Sequence, residues 1–201
     1  MLFIFDMGGV VTNTFLLTRL YEKLNITNDD FFKICNEGSD DIWNLFQIGK
    51  ITTSQFWAQF NERVAVSKYE RFRKVPVVEH DLFHLYFHPS KNPGTIELIQ
   101  QLKKKNRVVC GTNTVDSHWE THMERGDYSV FNQTYASNKI GCAKPDPHFW
   151  ELILEAEQTA PEDAFFTDDT PANVAAAAKL GIHAEVFTTA AELTEKWKKY
   201  F

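Results

Sequence analysis

The run Leu2-Phe3-Ile4-Phe5 is followed at once by Asp6-Met7-Gly8-Gly9. Four consecutive apolar residues rich in aromatic and branched side chains describe a short strand buried on both faces. Such strands belong to sheets covered by helices on either side, where ligands sit at the carboxyl ends of the strands. Asp6 is therefore placed where chemistry happens, and two glycines let the backbone behind it turn sharply and approach a ligand closely. An aspartate that merely ends a strand and caps a turn fits this one stretch equally well. The choice between the two readings falls to the rest of the chain.

After this strand, the pattern from Phe15 to about His88 is helical and aromatic-rich. Phe15-Leu16-Leu17, Leu20-Tyr21 and Leu24 recur at helical spacing. Asp40 and Asp41 precede Ile42-Trp43 and Leu45-Phe46, and Gly49-Lys50 breaks the pattern. Thr52 and Thr53 offer an N-cap for a helix carrying Phe56, Trp57 and Phe60. A further amphipathic stretch covers Val77 to Phe87. No strand is predicted here, so the segment reads as a small helical bundle inserted after the first strand.

From Asn92 the pattern alternates. Asn92-Pro93 start a helix running to Lys105, and Arg107 to Cys110 form a buried strand. Gln133 to Ala136 form a third strand, and Asp146-Pro147 cap a helix from His148 to Glu157. Ala164 to Thr167 form a fourth strand, and Thr170-Pro171 begin an Ala-rich helix that Gly181 closes. Ala184 to Phe187 give a fifth strand, and Thr189-x-x-Glu192 is a capping box for a last helix. Strands alternating with helices predict a doubly wound, parallel, Rossmann-like α/β sheet with an inserted all-helical cap domain. The predicted division is residues 1–13 and 89–201 for the core domain and 14–88 for the cap.

The 201 residues suit one sizeable core plus a small insert. The three cysteines (Cys35, Cys110, Cys142) are scattered and form no CxxC, so buried thiols in a reducing cytoplasm are expected. A strand beginning at residue 2 leaves no room for a signal peptide, and no apolar run approaches the roughly 20 residues of a membrane span. The formal charge is −6, and the only tight basic run, Lys103-Lys104-Lys105, closes a predicted helix, where cations complement the dipole. Nucleic acid and membrane are therefore not expected partners, and no feature sets an oligomeric state.

Each predicted strand end supplies a polar group. The first ends in Asp6, the second in Gly111-Thr112-Asn113-Thr114, and the fourth in Thr167-Asp168-Asp169. The loop after the third carries Lys144. Neighbouring parallel strands would bring these groups together. Three carboxylates at close range raise one another's pKa unless a cation neutralises them. Mg²⁺ suits an all-oxygen site completed by substrate phosphate, while hydroxyl, backbone amides and lysine complement a phosphate.

Four segments in order resemble the haloacid dehalogenase-like (HAD) hydrolase superfamily. They are Phe3-Ile4-Phe5-Asp6-Met7-Gly8-Gly9-Val10, Val109-Cys110-Gly111-Thr112-Asn113, Lys144-Pro145-Asp146-Pro147 and Phe165-Phe166-Thr167-Asp168-Asp169-Thr170-Pro171-Ala172-Asn173-Val174. The insert is similar to the family's type-1 helical cap. The resemblance implies that Asp6 is a nucleophile forming an aspartyl-phosphate that water then hydrolyses. It implies Mg²⁺ held by Asp6, the Gly8 carbonyl and Asp169, with Asp168 acting through water. Thr112 and the Asn113 amide would bind the phosphoryl group, and Lys144 would offset charge on nucleophile and phosphate. The expected substrate is a small phosphorylated metabolite.

One position departs from the family pattern. Its phosphatases carry a second aspartate two residues after the nucleophile, which moves protons to the leaving oxygen and from water; here that residue is Gly8. General acid–base catalysis contributes about 10²–10⁴-fold, so phosphatase chemistry would be weakened unless Thr12 or His118 substitutes. A non-catalytic phosphate- or partner-binding role stands as the alternative. Dehalogenase or phosphonate chemistry is a further one, although no arginine lies between Arg19 and Arg63; a phosphonate hydrolase would want a cap lysine at the site, for which Lys33 and Lys50 are candidates.

Overall fold

The computed structural model describes residues 1–201. Its centre is a five-stranded parallel sheet in the order β3-β2-β1-β4-β5. The strands are β1 (Leu2–Phe5), β2 (Arg107–Thr112), β3 (Gln133–Ala136), β4 (Ala164–Asp168) and β5 (His183–Val186). All four residues of β1 are buried, because it lies between β2 and β4. The strand order reverses at β1, the place where such sheets open a crevice at their carboxyl edge. Phe5 pairs with Cys110 on one side and Thr167 on the other. That register sets Asp6 beside Gly111 and Asp168.

Eleven helices surround the sheet: α1 (Thr18–Leu24), α2 (Asn28–Cys35), α3 (Ile42–Gln47), α4 (Thr53–Val66), α5 (Leu82–Tyr86), α6 (Pro93–Leu102), α7 (Asp116–Glu124), α8 (Ser137–Ile140), α9 (His148–Ala156), α10 (Pro171–Lys179) and α11 (Ala190–Trp197). Alternate residues of β1 feed opposite faces of the sheet. Phe3 and Phe5 pack with Leu98, Ile99, Leu193 and Trp197 of α6 and α11. Leu2 and Ile4 pack with Phe149, Trp150, Ile153 and Ala177 of α9 and α10. Both faces are thus covered, as the unbroken apolar run requires.

Helices α1 to α5 share a separate core of aromatic rings. Phe31, Phe46, Phe56, Phe60 and Phe83 are wholly buried there. Trp57 stacks on Phe83 at 4.6 Å between centroids, and Phe46 on Phe56 at 4.8 Å. Each such ring withdrawn from water contributes about 2–3 kcal/mol, which lets so short an insert hold together without cross-links. The chain leaves and re-enters the sheet region side by side. The Asn13 amide donates to the Ser90 carbonyl at 2.9 Å, and the Asn92 amide to the Val11 carbonyl at 2.8 Å. The insert also rests on the sheet's carboxyl edge, where Ser137 Oγ donates to the Gln47 carbonyl at 2.7 Å and Thr53 Oγ1 lies 3.1 Å from Ser117 Oγ.

Several sequence expectations shift in detail. The amphipathic stretch from Val77 becomes helical only at Leu82. The Asn61 side chain pairs with both the N–H and the carbonyl of Val78 at 2.9 Å, holding that segment extended. Asp81 then caps α5 by accepting from the Phe83 and His84 amides. Helix α6 stops at Leu102 rather than Lys105, because Asn106 Nδ2 donates to the Leu102 carbonyl at 3.1 Å. Lys103 and Lys105 donate to the Val130 and Phe201 carbonyls, so two of the three basic residues are tied into the fold. The Thr189 cap is half a box: its hydroxyl accepts from the Glu192 amide, while the Glu192 carboxylate turns to Thr188. All three cysteines are free and buried, and no helix is long and apolar enough to cross a membrane.

Candidate active site

The side chains at the carboxyl edge meet around one buried ammonium. Lys144, its side chain 1% exposed, donates from Nζ to Asp6 Oδ1 at 2.8 Å, Asp168 Oδ2 at 2.7 Å and the Gly111 carbonyl at 2.9 Å. An ammonium has three protons, and these three acceptors use them all. The loop that carries Lys144 is fixed by Asn113, whose side-chain amide pairs with both the carbonyl and the N–H of Lys144 at 2.8 Å. Asn113 thus positions Lys144 through its side chain.

Asp168 is fully buried and heavily engaged. Besides Lys144, its oxygens accept from the Thr170 amide at 2.8 Å and from Asn173 Nδ2 at 3.0 Å. Asp169, the next residue, is partly exposed and accepts from the hydroxyls of Thr14 and Thr170. Carboxylate oxygens of Asp6, Asp168 and Asp169 lie within 4.8 Å of one another. Burial pushes the Asp6 carboxyl up and the Asp168 charge adds to this, while Lys144 opposes both; the outcome is a pKa raised to about 6. Burial pulls the Lys144 ammonium down, but the charges of Asp6 and Asp168 outweigh it and leave its pKa raised.

One ammonium against three carboxylates leaves the cluster short of positive charge. The donor set is entirely oxygen, which fits a hard divalent cation such as Mg²⁺. Gly9 belongs to the same arrangement. Its φ is +77°, and a Cβ there would lie 2.0 Å from Asp169 Oδ2, so only glycine lets Asp169 approach this turn. Gly8 differs: a Cβ added to it meets nothing within 4 Å. The vacancy left by the missing side chain is open space beside the cluster.

A cavity of about 330 Å³ adjoins these residues, lined among others by Gly8, Thr112, Asn113, His118, His122 and Asp169. Thr112 is buried at its edge and its hydroxyl donates to the Asn113 carbonyl at 3.4 Å. Thr114, at the same strand end, is taken by Ser137, whose Oγ accepts its amide at 2.9 Å. Neither suggested proton donor is set up for that work. Thr12 Oγ1 donates to the Met7 carbonyl. His118 stacks on Phe87 at 3.8 Å with its Nε2 sealed and without a partner, and burial, assisted by the neighbouring His122, lowers its pKa to about 3.

The remaining residues singled out in the sequence lie elsewhere. Lys33 sits over the Tyr69 ring at 4.3 Å, and neither it nor Lys50 lines the cavity. Trp43 and Tyr21 pack against the insert's aromatic core. Gly49 abuts the Asn138 backbone, where a Cβ would come within 2.1 Å of the carbonyl oxygen. Sequence reasoning gave no role to Asn173, Thr14 or His122. Asn173 is five residues beyond Asp168, a spacing that a helix starting at Pro171 could have suggested. Thr14 and His122 carry no local signal, since tertiary packing alone brings them here.

A family model for haloacid dehalogenase-like hydrolases matches residues 1–181, and the chain belongs to that family. Curated relatives include acyl-CoA dehydrogenase family member 10 of Mus musculus, 29% identical over 187 residues, which are 90% of this chain and 17% of that protein. The sesquiterpene phosphatase astK of Aspergillus oryzae is 27% identical over 189 residues, covering 89% of this chain and 85% of that one. The chain spans only 17% and 16% of the length of two relatives, the Mus musculus protein and the drimenol cyclase drtB of Aspergillus calidoustus. Among solved structures, a HAD family enzyme of Bacteroides thetaiotaomicron has a TM-score of 0.72 at 22% identity over 97% of both chains. The same enzyme in complex with magnesium and inorganic phosphate has a TM-score of 0.68 at 24% identity, covering 93% of this chain and 92% of that one. These structures share the fold.

Proposed function

We propose that this HAD-like hydrolase is a Mg²⁺-dependent phosphatase of a small phosphorylated metabolite, working through an aspartyl-phosphate on Asp6. The observation that carries this reading is the Lys144 ammonium, buried between Asp6 and Asp168 with the Asp169 carboxylate within 4.8 Å of both carboxylates. Packing does not call for a buried lysine between two acids at a sheet's carboxyl edge, since well-packed apolar residues in place of a buried ion pair are often neutral or stabilising. The magnesium and phosphate bound by the Bacteroides enzyme, and the phosphatase activity in the name of the Aspergillus oryzae relative, support it. Residues 14–88 would be the cap, and 1–13 with 89–201 the catalytic core. The free, buried cysteines accord with a cytoplasmic setting.

Asp6, Asp169 and the Gly8 carbonyl would hold Mg²⁺, with Asp168 acting through water and bracing Lys144. Bound there, the metal supplies charge stabilisation to the phosphoryl oxygens. Lys144 fixes one oxygen of Asp6 and keeps the carboxylate ionised for attack on phosphorus. Thr112 and the Asn113 amide would receive the phosphoryl oxygens, as donors aimed at developing charge. The test is Mg²⁺-dependent phosphate release from p-nitrophenyl phosphate and a metabolite panel. Release that Asp6→Asn abolishes is expected. Because Gly8 brings no acid, the second reading is a phosphate-binding protein without turnover. It would be upheld by phosphate binding with no Asp6-dependent release from any substrate. Dehalogenase chemistry is disfavoured, as no arginine lines the cavity.

A further inference from the structure

We propose, resting on the aspartyl-phosphate reading above, that this site acts on phosphoryl groups whose leaving oxygen departs as an anion. Acyl phosphates and phosphoric anhydrides have that chemistry, whereas phosphate esters of sugars and ordinary alcohols do not. The cavity beside the cluster contains no side chain set to deliver a proton. Its titratable lining groups are His118, His122 and Asp169. His118 has a sealed Nε2 and is stacked on Phe87. His122 is engaged through Nδ1 with the buried Asp127 at 2.8 Å, and burial lowers its pKa in spite of that partner. Burial holds both rings below the ordinary histidine pKa, so neither is readily charged to serve as an acid. Asp169 accepts from two threonine hydroxyls.

Lys144 is no substitute. All three of its protons are committed to Asp6, Asp168 and the Gly111 carbonyl. The Thr12 hydroxyl donates to the Met7 carbonyl and is a far weaker acid than a carboxylic acid. In the first step an Asp6 oxygen forms a bond to phosphorus, the bond from phosphorus to the leaving oxygen breaks, and that oxygen keeps the electron pair unprotonated. A carboxylate or phosphate leaves readily in that form, and an alkoxide does not. In the second step a water oxygen bonds to phosphorus, the Asp6–phosphorus bond breaks, and the water proton passes to the released phosphate or to solvent. With no side chain to take that proton, the second step is slow and the phosphoenzyme accumulates.

The experiment compares kcat/KM for acetyl phosphate, ADP, p-nitrophenyl phosphate, phenyl phosphate and glucose phosphate, with Asp6→Asn as the blank. Expected is a fall of at least about 10²-fold from acetyl phosphate to phenyl phosphate, the lower bound for a missing general acid. Acetyl phosphate or ADP as the best substrate tells the acyl from the anhydride source. Gly8→Asp should narrow the fall by at least about tenfold and Gly8→Asn should not. A Cβ at residue 8 meets no atom within 4 Å, and Gly8 is not among the positive-φ residues, so both variants fit the backbone. Intact-mass analysis of protein incubated with acetyl phosphate and then quenched in acid should show a phosphoenzyme that Asp6→Asn lacks. Comparable kcat/KM on acetyl, phenyl and glucose phosphates would overturn this inference and leave the phosphatase reading standing. No Asp6-dependent release and no phosphoenzyme with any of them would overturn both.

Discussion

The ring of His118 offers a quantitative test of how the insert and the sheet region close on one another. The ring stacks on Phe87 at 3.8 Å and meets Phe83 edge-on at 5.8 Å, so rings from the insert side cover it. Its Nε2 has neither solvent nor a hydrogen-bond partner. Burial first, and His122 second, lower its pKa to about 3 from the ordinary value of about 6.5. The folded state therefore resists a proton that the unfolded chain accepts. The stabilising contribution is complete above pH ~6.5 and is lost as pH falls from there towards about 3. Linkage puts the loss between pH 7 and pH 5 at no more than about 2 kcal/mol, an upper bound because the residue is partly exposed and lines the cavity. His118→Phe keeps the ring stack and removes the titrating nitrogen. Urea unfolding at both pH values should show native protein losing more than the variant, by up to about 2 kcal/mol, with carboxylate effects cancelling in the difference. Equal losses would mean that His118 takes up a proton normally in the folded protein, and that Phe87 does not seal it.

Two further perturbations bear on the acidic cluster. Lys144→Met removes the only ammonium from two buried carboxylates and should lower stability by about 3–5 kcal/mol, read by urea unfolding; Lys144→Met with Asp168→Asn together should recover part of that loss. Gly9→Ala forces a Cβ into the space of Asp169 Oδ2 at a positive φ, and should weaken Mg²⁺ binding measured by calorimetry about 10–100-fold. Unchanged affinity would remove Asp169 from the metal site.

Much of this protein was legible in one dimension because its strongest signals are local. An unbroken apolar tetrapeptide requires a strand with both faces covered, and β1 lies between β2 and β4 with helices on each side. Asn92-Pro93, Thr52 and Asp41 cap α6, α4 and α3, since a cap needs only its own next turn. The acids at positions 6, 168 and 169 and the lysine at 144 could be placed at strand ends and hence on one edge. Sequence could not say how they divide the work. Three-dimensional packing decided that Lys144 spends every proton on Asp6, Asp168 and Gly111, that Asn113 clasps the lysine's backbone, and that Asn173 and Thr14 complete the acids' partners.

The same limit explains the helix that starts late at Leu82. Its delay comes from Asn61, seventeen positions away from Val78 in the chain, and no window of local periodicity contains that contact. Sequence alone determined the alternation of elements and the identity of the acids, because backbone preference and apolar pattern act over a few residues. Tertiary structure alone decided which protons are free, because a hydrogen-bond donor is spent by whichever acceptor folding brings within 3 Å. For this chain that difference reaches the chemistry: the open space at Gly8, the sealed nitrogen of His118 and the saturated ammonium of Lys144 exist only once the strands, loops and insert have met.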